Sequence, residues 1–247
     1  MLISTPSLII LTISAFFTSI IAGSIGMAGG VIFVGILASF VEIRYVVPLH
    51  SALMIISNSA RIVLFLKHIN WRIVGFYSMG LLPGALVGIY VFKLLPKDII
   101  KLSMGVFILA AIFMPAQKAK AGLGEKVFAL VGLLSGFFGI FFGASGPITA
   151  PFYIRLGIIK EELIATKSAC QALDHLLKVP LFGMIGINVL VYWNIILLLS
   201  LAAILGIFIG KRLVNRMSDR AFIGIFKAIL IVIALRIIIL QLAQLWG

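Results

Sequence analysis

Long charge-free apolar runs dominate the pattern of the chain. Residues 1–41 contain no Asp, Glu, Lys, Arg or His, and similar runs cover 73–92, 127–154 and 179–210. Each run is long enough to span the hydrocarbon core of a bilayer, which requires about 20 apolar residues in a helix. As one helix, the first run would measure roughly 60 Å, about twice the thickness of that core. It therefore predicts two helical pieces with a break between them.

Glycine clusters indicate where such helices break. One cluster extends from Gly23 to Gly30, and a second extends from Gly136 to Gly146 and is followed by Pro147. Gly costs about 1 kcal/mol relative to Ala inside a helix. We therefore expect paired broken or re-entrant helices near the bilayer midplane, with free N–H groups that suit an anion. Close helix packing through small residues is the alternative. The residues assigned here to the anion site are Gly26, Gly29, Gly30, Gly143, Ser145 and Gly146.

The apolar segments form two similar series around a polar linker. Small residues of the first series recur in the same order 113 to 118 positions later. We therefore predict a first repeat over 1–116, a linker over 117–126 and a second repeat over 127–247. Internal pseudo-symmetry in a membrane protein is typical of a transporter. The distribution of Lys and Arg leaves open whether the repeats are parallel or inverted. After the first run, the apolar segments are 48–66, 73–92, 99–115, 127–141, 146–156, 164–182, 189–210 and 221–246.

Two polar stripes lie on corresponding predicted helices, at 48–66 and 164–182. At about 100° per residue, the polar side chains of each helix fall within an arc of roughly 120°, and apolar residues occupy the opposite side. Matched stripes in so apolar a chain predict two helices that face a polar cavity. The first stripe contains His50, Ser51, Ser57, Asn58 and Arg61, and the second contains Lys167, Ser168, Gln171, Asp174, His175 and Lys178.

Two cations occupy equivalent positions within these stripes. Arg61 and Lys178 correspond at an offset of 117 residues. A cation in a spanning segment costs about 2.5–3.5 kcal/mol on insertion scales and usually faces a pathway; snorkelling to the headgroups is the alternative. Asp174 lies four residues before Lys178 and would neutralise it, which would leave Arg61 uncompensated. Asp174 and His175 are also candidates for proton coupling, although Asp174 could serve only to balance Lys178.

The composition excludes several classes of protein. Of 247 residues, 63% are apolar and 11% are charged, whereas a soluble domain has about 25% charged residues. The net charge of +13 comes from residues at the ends of apolar segments, as in membrane-protein loops, and predicts no nucleic-acid binding. Residues 1–7 lack Lys and Arg, so no cleaved signal is expected. A single cysteine, Cys170, predicts neither a disulfide nor a cysteine-based zinc site.

The order of these motifs resembles the sulfite exporter TauE/SafE family. The resemblance is carried by segments 23–31, 50–58, 70–72 and 82–88, with a weaker second copy in the later half. It implies about eight crossings in two four-helix halves. It further implies transport of sulfite, thiosulfate, sulfoacetate or a related organosulfur anion across the cytoplasmic membrane.

We therefore predict an all-α, polytopic integral membrane protein with about eight transmembrane helices. Its predicted function is that of a secondary transporter or permease for a small sulfur-containing anion, working by alternating access without a cofactor or metal. A passive anion channel and an intramembrane enzyme are the alternatives; phosphate-binding and hydrolase motifs are missing from the sequence. The residues of the polar stripes predicted to bind substrate are His50, Ser51, Asn58, Arg61, Ser168, Gln171, His175 and Lys178.

Overall fold

The computed structural model describes residues 3–25, 29–113, 124–155 and 160–213, with separate residues between 231 and 242. The regular structure of this part of the chain is entirely helical, which confirms the predicted fold class. Most of the predicted linker and of the last apolar segment lies outside the described residues. The helices are α1 (Thr5–Ile25), α2 (Gly29–Leu37), α3 (Ile43–Phe65), α4 (Trp71–Leu94), α5 (Lys97–Phe113), α6 (Phe128–Phe142), α7 (Gly146–Arg155), α8 (Lys160–Met184) and α9 (Trp193–Leu213).

The described helices differ in their capacity to cross a membrane. Five are long and apolar enough to do so, and eight crossings remain a prediction. Helices α2 and α7 have nine and ten residues, about half of what a bilayer requires. They are therefore pieces of helix inside the protein. The five candidate spans are Thr5–Ala22, Ile43–His68, Trp71–Leu94, Glu125–Phe142 and Leu190–Gly210.

The second glycine cluster breaks the helix as predicted. Helix α6 ends at Phe142, and Gly143 follows with φ of 70°. A residue with a side chain is strained in that region of φ, whereas glycine is not. Ala144 and Ser145 are non-helical, and α7 begins at Gly146. The helical hydrogen bonding of the backbone is therefore interrupted between α6 and α7, and backbone polar groups are available for other contacts there.

The first cluster also separates two helices. Helix α1 ends at Ile25, α2 begins at Gly29, and residues 26–28 lie outside the described residues. A Cβ atom at Gly29 would lie 2.3 Å from the carbonyl oxygen of Thr18 and 2.7 Å from Cβ of Ala22. The start of α2 therefore packs back against the last turns of α1, and only glycine permits this approach.

Glycine allows α4 and α6 to cross with their backbones in contact. A Cβ at Gly80 would lie 1.8 Å from the carbonyl oxygen of Ala129, and one at Gly84 would lie 2.1 Å from that of Leu133. The contact positions increase together by four residues along both helices. Helices α4 and α6 therefore run parallel, and their separation is set by the absence of side chains at these glycines.

The expectation that the glycine clusters are non-helical is wrong for most of their described glycines: Gly29 and Gly30 begin α2, Gly146 begins α7, and three more lie inside helices. Gly23 lies in α1, and Gly136 and Gly139 lie in α6. The reason at Gly136 is close packing, because a Cβ there would lie 2.3 Å from the carbonyl oxygen of Leu81 in α4. A glycine that permits a close crossing gives the same sequence signal as one that ends a helix.

Helices α1 and α9 form a second close crossing. A Cβ at Gly206 would lie 2.3 Å from the carbonyl oxygen of Phe16, and one at Gly210 would lie 2.3 Å from that of Ile20. The matching increase along both helices shows that they too run parallel. Each close crossing therefore combines one helix from the first predicted repeat with one from the second.

Helices α3 and α8 pack against each other in opposite directions. Ser51, near the start of α3, contacts His175 in the later part of α8. Asn70, which follows α3, donates its backbone N–H to Oγ1 of Thr166, near the start of α8, at 2.9 Å. The side chain of Asn70 also caps α4 and donates to Glu162 of α8 at 3.1 Å. In this conformation these bonds hold the two striped helices side by side.

Candidate functional site

Both polar stripes are buried, and they face each other between α3 and α8. His175 Nδ1 lies 3.2 Å from Ser51 Oγ, and the ring centroids of His50 and His175 are 5.5 Å apart. The polar side chains of the two stripes therefore contact one another directly, and the space between the helices is not a wide aqueous lumen. Their buried members are His50, Ser51, Ser57, Asn58, Arg61, Lys167, Ser168, Asp174, His175 and Lys178.

A small cavity lies where the stripes meet the two helix breaks. Its volume is about 20 Å³, which is room for about one water. The start of α2 contributes Gly30, and the α6–α7 break contributes Ala144 and Gly146. Among the described residues, the lining consists of Ala22, Gly30, Val31, His50, Met54, Asn58, Arg61, Ala144, Gly146, Gln171 and His175.

Several buried polar atoms around this cavity have no hydrogen-bond partner among the described residues. These atoms are both ring nitrogens of His50, Oδ1 of Asn58 and Nε of Arg61. An unsatisfied buried polar group costs about 1–3 kcal/mol. Three neighbouring side chains therefore retain hydrogen-bonding capacity in one place, which is typical of a site built for a polar ligand.

Arg61 is a buried cation without an acidic partner in the described part of the chain. Its guanidinium donates one hydrogen bond, from Nη2 to Ser57 Oγ at 3.0 Å, and only 6% of the residue is exposed. A neutral hydroxyl does not cancel the charge. In surroundings of low dielectric constant, such a charge attracts an anion strongly.

Lys178, by contrast, is neutralised within its own helix. Its Nζ lies 2.7 Å from Oδ2 of Asp174, which confirms the predicted pair. Nζ also donates to the carbonyl oxygen of Gly143 at 3.5 Å, and Ser145 Oγ donates to Asp174 at 3.3 Å. Lys178 therefore reaches the α6–α7 break and does not line the cavity.

The structure brings together part of the predicted site. Five residues of the predicted stripes and two of the predicted glycines line the cavity: His50, Asn58, Arg61, Gln171, His175, Gly30 and Gly146. Ser51, Gly143, Ser145, Asp174 and Lys178 lie behind this lining, joined through the hydrogen bonds given above. Ser168 is buried outside the lining, Gly29 packs on α1, and Gly26 lies outside the described residues.

Sequence reasoning missed the apolar part of the lining, which consists of Ala22, Val31, Met54 and Ala144. Only Met54 carried a signal, because it corresponds to Gln171 at the 117-residue offset. The other three are ordinary small or branched residues in apolar segments. They limit the width of the cavity, so that the site offers few polar contacts in a confined space.

Comparison with known proteins identifies the family. The family profile described as "Sulfite exporter TauE/SafE" matches residues 11–237. The chain belongs to the sulfite exporter TauE/SafE family. This family consists of multi-pass membrane transporters, and the membrane-length helices of this member agree with that location.

One curated relative of this TauE/SafE protein is the "Probable sulfite/organosulfonate exporter TauE" of Cupriavidus necator. The two sequences are 34% identical over 89 residues, which cover 33% of this chain and 34% of the relative. The alignment thus spans about a third of the relative's length. No solved structure matches the chain.

We expect Gly139→Ala to destabilise this TauE/SafE protein. A Cβ at position 139 would lie 2.6 Å from Nζ of Lys178 and would displace the ammonium from Asp174. The ammonium is the end of a flexible side chain and can shift, so the cost arises from weakening its buried ion pair with Asp174, and we expect this cost to exceed the helix propensity gained. Thermal unfolding in detergent measures the effect. The control is Gly183→Ala, where a Cβ has no neighbour within 4 Å; equal unfolding temperatures of the two variants would contradict the prediction.

Proposed function

We propose that this protein is a secondary transporter that exports a small sulfur-containing oxyanion, of the sulfite or organosulfonate type, across the cytoplasmic membrane. The family supports transport, and the printed name of the C. necator relative supports this class of substrate and the outward direction. The observation that carries the proposal is Arg61, a buried cation without an acidic partner among the described residues, at a cavity between two helix breaks.

The chemistry of the lining suits a sulfur oxyanion. The oxygens of sulfite and of sulfonates are hydrogen-bond acceptors that carry negative charge. The guanidinium of Arg61 offers donors in a planar fork, and a ring nitrogen of His50 can donate. The unpartnered atom of Asn58 is the acceptor Oδ1, so Asn58 binds an anion only through the N–H groups of Nδ2. Gly146 begins α7, where its N–H and the helix dipole favour an anion; Pro147 has no N–H, and those of the next two residues donate to the carbonyl oxygen of Ser145.

The arrangement of the helices supports an inverted repeat. Helices α3 and α8 correspond in the predicted duplication, yet they run in opposite directions. Equivalent helices that are antiparallel are related by a two-fold axis perpendicular to them, which lies in the plane of the membrane. The packing partners agree with this symmetry. In the predicted duplication α4 corresponds to α9 and α6 corresponds to α1, and α4 packs on α6 just as α9 packs on α1. Inverted repeats are typical of transporters that bind substrate at the repeat interface.

The size of the cavity supports alternating access. A cavity of about 20 Å³ holds about one water, whereas sulfite has four heavy atoms. The helices around the cavity must therefore separate to admit the anion. We propose that α2 and α3 move relative to α7 and α8, so that the site opens to one side of the membrane at a time.

Counterflow in proteoliposomes tests this function. Vesicles containing the purified protein are preloaded with unlabelled sulfite, and the uptake of labelled sulfite is followed with and without the preload. We expect saturable uptake that is accelerated by internal sulfite or sulfoacetate and not by acetate, because a carrier returns faster when loaded. Uptake that does not saturate and is unaffected by the preload would identify a channel instead. Equal acceleration by acetate would contradict a sulfur-oxyanion site.

A further inference from the structure

The ammonium of Lys178 contacts a carboxylate oxygen and a backbone carbonyl oxygen. Oδ2 of Asp174 lies 2.7 Å from Nζ, and the carbonyl oxygen of Gly143 lies 3.5 Å from it. Ser145 Oγ donates to the same carboxylate oxygen, Oδ2 of Asp174, at 3.3 Å. Lys178 is fully buried, so no water of the bulk solvent shares this position.

These oxygen atoms form the kind of set that binds a small monovalent cation. A carboxylate, a hydroxyl and a backbone carbonyl are hard oxygen ligands. The carbonyl belongs to Gly143, directly after α6, where the negative end of the helix dipole lies. In transporters with discontinuous helices, such C-terminal ends and unwound carbonyls coordinate a coupling ion.

Two further observations indicate that the position is built for a cation. Oδ1 of Asp174 is buried and has no hydrogen-bond partner among the described residues, so the carboxylate retains capacity for another ligand. Gly139 leaves the space open, because a Cβ there would lie 2.6 Å from Nζ of Lys178 and 3.3 Å from Oδ1 of Asp174. Without glycine at this point, α6 would occupy the volume.

The corresponding position in the first repeat differs in charge. Arg61 matches Lys178, and Ser57 matches Asp174, at the same offset of 117 residues. Arg61 bonds to a neutral hydroxyl, whereas Lys178 bonds to a carboxylate. The two equivalent positions therefore differ, and the one in the second predicted repeat has the negative charge that a cation site requires.

We propose that Lys178 is a resident cation: its ammonium fills a monovalent-cation site formed by Asp174, Ser145 and the carboxyl end of α6. The tethered ammonium holds the α6–α7 break together, so the protein does not need Na⁺ for this purpose. Removal of the ammonium opens the site to Na⁺ or to a small alkylammonium ion.

Cation rescue of Lys178→Ala tests the proposal. The full-length variant is unfolded thermally in detergent in choline, sodium or methylammonium chloride at equal ionic strength, without any anionic substrate. We expect wild type to unfold at one temperature in all three salts. The variant should unfold at a lower temperature in choline and recover about half of the loss in sodium or methylammonium, because a ligand of the folded state stabilises it.

Two variants serve as controls. Lys167→Ala removes another buried lysine of α8 and should lose stability without any cation response. Asp174→Asn combined with Lys178→Met leaves no unpaired charge and should fold without a cation response. If Lys178→Ala cannot be purified in choline, recovery in sodium or methylammonium buffer supports the proposal, and failure in every salt while the double variant is recovered overturns it.

Other outcomes also decide the question. Identical unfolding of Lys178→Ala in the three salts would overturn the proposal, as would a selective stabilisation of wild type by Na⁺. Because the measurement contains no sulfite or sulfonate, its result is independent of the proposed substrate. A transport assay that fails would therefore leave this test of the cation site unaffected.

Discussion

Arg61→Ala is expected to lower the efficiency of sulfite transport by roughly 100-fold, since a charged hydrogen bond contributes about 1.5–3 kcal/mol and each 1.4 kcal/mol is tenfold in affinity. The variant lacks the buried guanidinium that we propose to bind the anion. Its fold should persist, because removing a buried charge that has no acidic partner removes a desolvation cost. Initial rates of sulfite counterflow across a range of concentrations measure the change, and the unfolding temperature reports on the fold.

Two substitutions separate the charge of Arg61 from its shape. Arg61→Lys keeps the charge and loses the planar fork, so we expect intermediate transport. Lys67→Ala removes an exposed cation of the segment that follows α3 and should transport like wild type. Full transport by Arg61→Ala, in protein that unfolds at the wild-type temperature, would remove the main support for an anion site at this cavity.

Gly84→Ala is expected to reduce stability strongly. The added Cβ would lie 2.1 Å from the carbonyl oxygen of Leu133 and within 3.0 Å of its backbone carbon atoms, which cannot move as a side chain can. Helices α4 and α6 would have to separate along their contact. Overpacking costs about 1–3 kcal/mol in soluble cores, and we expect at least the upper part of that range. The unfolding temperature in detergent and the yield of monodisperse protein measure the loss.

Gly75→Ala is the matched control in the same helix. A Cβ at Gly75 has no neighbour within 4 Å, and the residue is exposed. The variant should match wild type or exceed it slightly, since Ala favours a helix by about 1 kcal/mol over Gly. A similar loss of stability in both variants would show that glycine in α4 serves a purpose other than the crossing with α6.

The sequence predicted those features of the fold that depend on local pattern. The apolar runs predicted helices, the second glycine cluster predicted a break within 136–146, and the four-residue spacing predicted the pair of Asp174 and Lys178. Each depends on residues close together in the chain. The stripes on α3 and α8 were predicted for the same reason, because helical periodicity alone places those residues on one face.

Features that depend on the packing of distant helices could not be predicted. Gly136 and Gly143 belong to one cluster, yet the first packs against α4 and the second ends α6. Arg61 and Lys178 are equivalent in sequence, but only Arg61 lines the cavity, because α8 directs Lys178 toward the α6–α7 break. The opposite directions of α3 and α8 also follow from contacts between helices, and the distribution of basic residues did not predict them.

The crossing of α1 with α9 has a consequence for biosynthesis. The backbone of Phe16 contacts Gly206, a residue that follows about 190 positions later, and ribosomes add about 5–20 residues per second, so about 10–40 s separates the two. Throughout that interval the first helix resides in lipid without its neighbour. In a nascent chain that stops before α9, helix α1 lacks this neighbour even when all the preceding helices have been made. Final packing of the earliest helix is therefore among the last events in making the protein.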